Sequence, residues 1–153
     1  MPRPLAALLA LAALGAAGCG ADDPPPLDAA CTASAAAIER ALDRAPAPVT
    51  LPSGTRLSQC VSRARSDSDL QTAGVVLVRA ADDLAVRAQR GDTAAAVGLG
   101  YLVGAARRGA KRTAGIHAEL QHRVESSARV LADSGETIAA ALQRGLRAGE
   151  ATG

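Results

Sequence analysis

The chain has 153 residues and a net charge of +2, with 17 basic and 15 acidic side chains, no Trp, no Phe and a single Tyr. That length fits one domain, and the near balance of charge leaves no broad basic footprint for nucleic acid. The shortage of aromatic residues and β-branched runs argues against a sheet-built core.

Met1 and Arg3 give a short cationic start, and Leu5 to Ala17 contain only Leu, Ala and Gly. A run of this length is too short to span a bilayer, which takes about 20 apolar residues, and it has the layout of an export signal. The ending Ala16-Ala17-Gly18-Cys19 resembles the lipobox of bacterial lipoproteins, although that family usually carries Leu where Ala16 stands. The resemblance implies that the Cys19 thiol is diacylated, that residues 1–18 are removed as a signal peptide, and that the protein sits on the extracytoplasmic face of a bacterial cell membrane. Two acyl chains suffice for stable tethering, at ~0.8 kcal/mol per buried methylene. Residues 19–27, with Asp22, Asp23 and Pro24-Pro25-Pro26, then read as an extended spacer.

With Cys19 modified, Cys31 and Cys60 remain as a pair. Outside the cytoplasm such a pair reads as a disulfide, with free buried thiols as the alternative. Metal binding is disfavoured because the two cysteines are far apart and have no second ligand at suitable spacing.

Residues 28–148 read as a helical domain. Asp28 is placed to cap a first helix whose apolar positions Cys31, Ala35, Ile38 and Leu42 recur at three- and four-residue steps. From Ala45 to Leu57, Pro46, Pro48 and the Pro52-Ser53-Gly54 signal make an irregular connector, with room for a short hairpin at Val49-Thr50-Leu51. Ser68-Asp69-Leu70-Gln71 matches a capping box, and predicts a second helix running to Arg90 with Gly91 as its stop. Its inner stripe is Leu70, Ala73, Leu77, Ala80 or Ala81, Leu84 and Ala88, which Val75, Val76 and Val78 widen until neighbours on more than one side are expected.

Asp92 caps a third helix that opens with the apolar residues Ala94 to Ala106, too few to cross a membrane and therefore expected at the centre of the core. Gly98, Gly100 and Gly104 each cost about 1 kcal/mol of helix propensity, and their spacing predicts close approach by a neighbouring backbone. The apolar phase runs unbroken from Leu99 to Leu131, which favours one long helix bent at Gly109 or Gly115 over two. After Asp133-Ser134-Gly135-Glu136 a last helix is expected on the stripe Ile138, Leu142 and Leu146, and residues 149–153 are expected to fray. The fold class is thus all-α: a bundle of about four helices, one of them long and central, stapled by one disulfide.

The chain offers little for catalysis. It has no Gly-x-Ser-x-Gly and no phosphate-cradling loop, and Asp82 and Asp83 point about 100° apart on a helix. His117 and His122 diverge by roughly 140°, which does not serve one-face metal ligation with Glu119. Glu119 with Arg123 and Glu125 with Arg129 read as surface pairs. Tyr101 reads as a core residue whose hydroxyl needs a partner. Arg107, Arg108, Lys111 and Arg112 form the single charge cluster, suited either to anionic lipid or wall polymer or to plain solvent exposure. The expected function is a non-enzymatic envelope module without cofactor or metal, held to the membrane at Cys19, with an envelope protein or an anionic surface as partner.

Overall fold

A computed structural model describes residues 25–113 and 117–153. The proposed signal segment, Cys19 and the suspected bend at Gly115 lie outside the described residues. Among these residues the fold is helical, with six α-helices and no strand, two more helices than the apolar pattern alone indicates. The Cys31 and Cys60 sulfurs stand at disulfide distance, with their Cα atoms 5.4 Å apart.

The expected first helix is divided. Asp28 caps only a 3-10 turn, Ala29–Cys31, by accepting from the Ala30 N–H, and Ser34 caps α1, Ala35–Leu42, by accepting from the Ala37 N–H. Two local caps compete here, and the serine, three residues before Ala37, wins the longer helix. The connector is stapled from inside. Leu51 N–H donates to the Thr55 carbonyl at 2.8 Å, Thr50 and Arg56 form one isolated bridge, and Gly54 turns the chain at φ 83°. A short helix, α2 (Leu57–Ser62), follows and carries Cys60.

The third helix, α3 (Asp67–Gln89), starts at the Ser66 cap and not at Ser68. Ser66 Oγ accepts from Asp69 N–H at 3.1 Å, while the Asp69 carboxylate accepts from Ser66 N–H at 3.4 Å. A charged acceptor at the third position makes the stronger capping box. The inner stripe of Ala73, Leu77, Ala80, Ala81, Leu84 and Ala88 is buried as expected, but Val75 is 66% exposed, so α3 is covered on one side only at that level.

Gly91, at φ 92°, turns the chain into α4, Thr93–Ala110. Asp92 caps it through the Ala95 N–H at 2.9 Å and pairs with Arg87 at 2.9 Å. The central position expected for this helix is observed: α2, α3, α5 and α6 all lie against it, and every residue from Ala95 to Ala106 is buried.

The long central helix does not form. After Ala110 the chain turns, with Thr113 Oγ1 donating to the Ala110 carbonyl at 2.8 Å, and α5 runs separately over Ala118–Arg129. A single helix over residues 93–131 would be roughly 60 Å long, too long for its far half to reach the core. Separated, α5 buries Leu120 and Val124 and runs alongside α3, with Leu120 at Gly74 and Ser127 Oγ donating to Asp82 at 2.6 Å. The unbroken apolar phase reflects two buried stripes in register by coincidence.

The last helix, α6 (Glu136–Thr152), runs parallel to α4 and turns a different face from the one expected. Ile138, Ala141, Gly145 and Gly149 are buried, while Leu142 and Leu146 flank the interface half-covered. Gly100 and Gly104 of α4 lie against the Leu142 and Leu146 carbonyls, and Gly145 and Gly149 of α6 lie against the Val97 and Tyr101 carbonyls. Gly98 has no such neighbour; a methyl there would meet only leucine side chains at 3.5 Å and beyond. Residues 149–153 are not frayed, because their carbonyls are taken: Arg108 donates to the Glu150 and Ala151 carbonyls at 2.8 Å each, and Ser58 Oγ donates to the Gly153 carbonyl at 2.6 Å.

Tyr101 ties the connector to both helices. Its hydroxyl accepts from Val49 N–H at 2.9 Å and lies 2.9 Å from Thr152 Oγ1, which donates in turn to the Ala148 carbonyl. A hydroxyl buried at the centre of an alanine-rich core is thereby satisfied without water.

Candidate functional site

The basic cluster at the C-terminal end of α4 divides into two pairs. About one helical turn separates the inward from the outward members, and α6 supplies acceptors only to the inward ones. Arg107 Nε donates to Glu125 at 2.7 Å and its Nη1 to Glu150 at 3.3 Å, so this side chain joins α4, α5 and α6. Arg108 closes the C-terminal end of α6 through the carbonyls named above. Lys111 and Arg112 are exposed. The four cations therefore do not act as one surface.

The Glu125 carboxyl is the most enclosed member of this network, at 17% side-chain exposure. Burial pushes its pKa up, but hydrogen bonds from Arg107 and Gln121 outweigh that and hold it below the ordinary glutamate range; the same bond from Glu125 pushes Arg107 up. Glu125 is thus engaged with Arg107 and not with Arg129, contrary to the four-residue spacing. A carboxyl whose pKa is lower folded than unfolded stabilises the fold above its unfolded pKa, and the contribution is lost as pH falls through the folded value. The melting midpoint of the parent should therefore drop between about pH 5 and pH 3. Glu125→Gln should cost about 1 kcal/mol at neutral pH and narrow its difference from the parent on acidification. A constant difference across that range would show that the network does not carry the acid sensitivity.

The histidines go separate ways. His117 is 3% exposed, with Nε2 2.5 Å from the Ala64 carbonyl, to which it donates, and Nδ1 enclosed without a hydrogen-bond partner among the described residues. His122 faces outward, 3.8 Å from Glu125. Glu119 bonds to Arg123 at 2.8 Å on the surface. Asp82 is engaged by Ser127 and Asp83 by Arg79 at 3.0 Å. No cluster of three His, Cys, Asp or Glu side chains suited to a metal occurs among the described residues, and none of the helices described is long and apolar enough to cross a membrane.

An open groove of about 680 Å³ lies between α3 and α5. Leu70, Gly74, Val75, Val78 and Leu120 form its apolar wall, with Arg79, Asp82 and Arg123 at the rim. Gly74 helps open it, since no side chain projects there. The sequence signal was available in the surplus of valines on α3, beyond what a single inner stripe requires.

Comparison with protein-family models, with curated proteins and with solved structures finds no match.

Proposed function

We propose that this chain is a lipid-anchored lipoprotein of the bacterial cell envelope, exposed on the extracytoplasmic face, whose helical domain serves as a non-enzymatic binding module. The observation that carries the reading is Cys19, placed after small residues at the end of an apolar run of signal-peptide length. The Cys31–Cys60 pair supports the address, since such bonds persist in oxidising compartments. The interior polar side chains favour a scaffold over a catalyst. Tyr101, Arg107, Arg108, Ser58 and Ser127 each join one helix to another segment, a structural use of these polar groups. The partner in this reading is an envelope protein, and the domain needs no cofactor.

Cys19→Ser is expected to abolish incorporation of labelled fatty acid and to release the protein from washed membranes or leave it uncleaved. A variant that labels, fractionates and migrates like the parent would remove the anchor from this account.

A further inference from the structure

Two basic stretches meet at one end of the bundle. Residues 56–66 contain Arg56, Arg63 and Arg65 and no acidic side chain, and residues 107–113 contain Arg107, Arg108, Lys111 and Arg112 and again none. The fold lays the two side by side. Gly109 sits against the Ser58 carbonyl and Val61, and a few residues further on His117 donates to the Ala64 carbonyl. Arg107 and Arg108 are withdrawn into the α6 contacts, and Arg56 lies at the opposite, N-terminal, end of α2. Along the edge itself Arg65, Lys111 and Arg112 are exposed and Arg63 is half-covered. None of these four has an acidic partner within salt-bridge distance among the described residues.

Two of the acidic side chains at this end, Asp28 and Asp69, are engaged in local hydrogen bonds. Asp69 bonds the Ser66 N–H and, with Asp67, lies in the first turn of α3. Asp28 accepts from Thr55 Oγ1 and Ala30 N–H. Its carboxyl is held low first by Thr55, and it also feels Arg63. The Cys31–Cys60 bond ties the start of the fold to α2 three residues before Arg63, beside the basic edge.

We propose that Arg63, Arg65, Lys111 and Arg112 form a contact face for anionic phospholipid headgroups, on which the tethered domain lies with α2 and the end of α4 toward the bilayer. The proposal takes its tether from the anchor proposed above. Cys19 precedes Asp28 by nine residues, a link of at most about 30 Å, and the described chain is tied at Cys31 to Cys60, close in sequence to Arg63 and Arg65. Electrostatic attraction to a leaflet fades over about 8 to 10 Å, so the tether strengthens the contact by holding the edge within that range of the surface. A bilayer is favoured over a soluble polymer for the same reason.

Lys111 is the single lysine of the chain, which gives a probe at the edge itself. The full, lipidated protein is placed on vesicles of phosphatidylcholine, with or without phosphatidylglycerol, and acetylated with a water-soluble amine reagent; mass spectrometry follows Lys111. On anionic vesicles its modification should slow several-fold, high salt should restore the rate, and Arg63→Gln, Arg65→Gln and Arg112→Gln together should equalise the two lipids. Flotation of a Cys19→Ser form should show about a fivefold loss of anionic-vesicle affinity for each cation removed, and that arm reads the edge even if the anchor proposal fails. Equal Lys111 rates on both lipids at low salt would overturn the proposal and leave Lys111 and Arg112 as a solvated complement to the α4 dipole. Protection by soluble polyphosphate without protection by the anionic vesicles would overturn it in favour of a polymer ligand.

Discussion

Gly149→Leu is expected to abolish cooperative folding at 37 °C, although it adds only an apolar side chain to a buried helix. A Cβ at this position falls on the Tyr101 carbonyl oxygen, 2.9 Å from the Tyr101 carbonyl carbon and 3.0 Å from the Ala105 nitrogen. The obstacle is backbone on both sides, so no rotamer relieves it, and α6 must withdraw from α4 along its length. Overpacking of this kind costs about 1 to 3 kcal/mol when side chains can adjust, and more where they cannot. Withdrawal would also break the Tyr101 hydroxyl bond to Thr152 and the Arg108 bonds to the Glu150 and Ala151 carbonyls. The control is Gly74→Ala, whose methyl meets only Leu120 Cδ1 at 3.5 Å; restored helix propensity should leave that variant level with the parent or up to about 1 kcal/mol more stable. Thermal melts followed by circular dichroism check both. A Gly149→Leu melt that superimposes on the parent's would refute the close helix contact.

Breaking the Cys31–Cys60 bond is expected to have the second-largest effect. The bond closes a loop with a sequence separation of 29, and the chain-entropy model gives about 3.5 kcal/mol for a loop of that size. Both cysteines are fully buried, so Cys31→Ala with Cys60→Ala is the appropriate replacement, leaving no unpaired hydroxyl inside. For a domain of this length the midpoint should fall by about 10 to 20 °C. Native, non-reduced protein should show neither thiol open to alkylation. Alkylation of both, with an unchanged melt on reduction, would exclude the staple.

What the sequence could and could not disclose follows from the range over which each signal acts. Asp92 as a cap, Gly91 as a stop and the α3 stripe were legible because each is decided within one or two turns of chain. The burial of Tyr101 and the need to satisfy its hydroxyl were also legible, but its partners Val49 and Thr152 lie about fifty residues away on either side. Gly100 and Gly104 were recognisable as close-packing positions because they interrupt an otherwise apolar helix. Gly145, Gly149 and Gly153 repeat the same four-residue step, yet near the end of the sequence and beside polar residues the last two read as part of a frayed tail. The signal lay in matching two glycine series to each other. The pairing of Arg107 with Glu125 was hidden for a related reason: it depends on α5 folding back antiparallel to α4, and the continuous apolar phase concealed that reversal. The basic edge was half visible, since Arg63 and Arg65 come from the short stretch between α2 and α3, whose position beside the end of α4 no local pattern discloses.

The glycine contacts between α4 and α6 also bear on how a chain with no Phe or Trp acquires a solid interior. Large aromatic rings ordinarily fill the space between helices set 8 to 10 Å apart. Here the space is removed instead. With Gly100 and Gly104 facing carbonyls of α6, and Gly145 and Gly149 facing carbonyls of α4, the Cα–H groups of each helix point at the oxygens of the other in a reciprocal ladder. Such Cα–H···O contacts contribute about 0.5 to 1 kcal/mol each, and glycine has no rotamer freedom to lose in forming them. Cohesion along this seam thus moves in part from side chains to main chain, and the matched glycine steps set the register of α6 on α4 without large rings to fill the space between them.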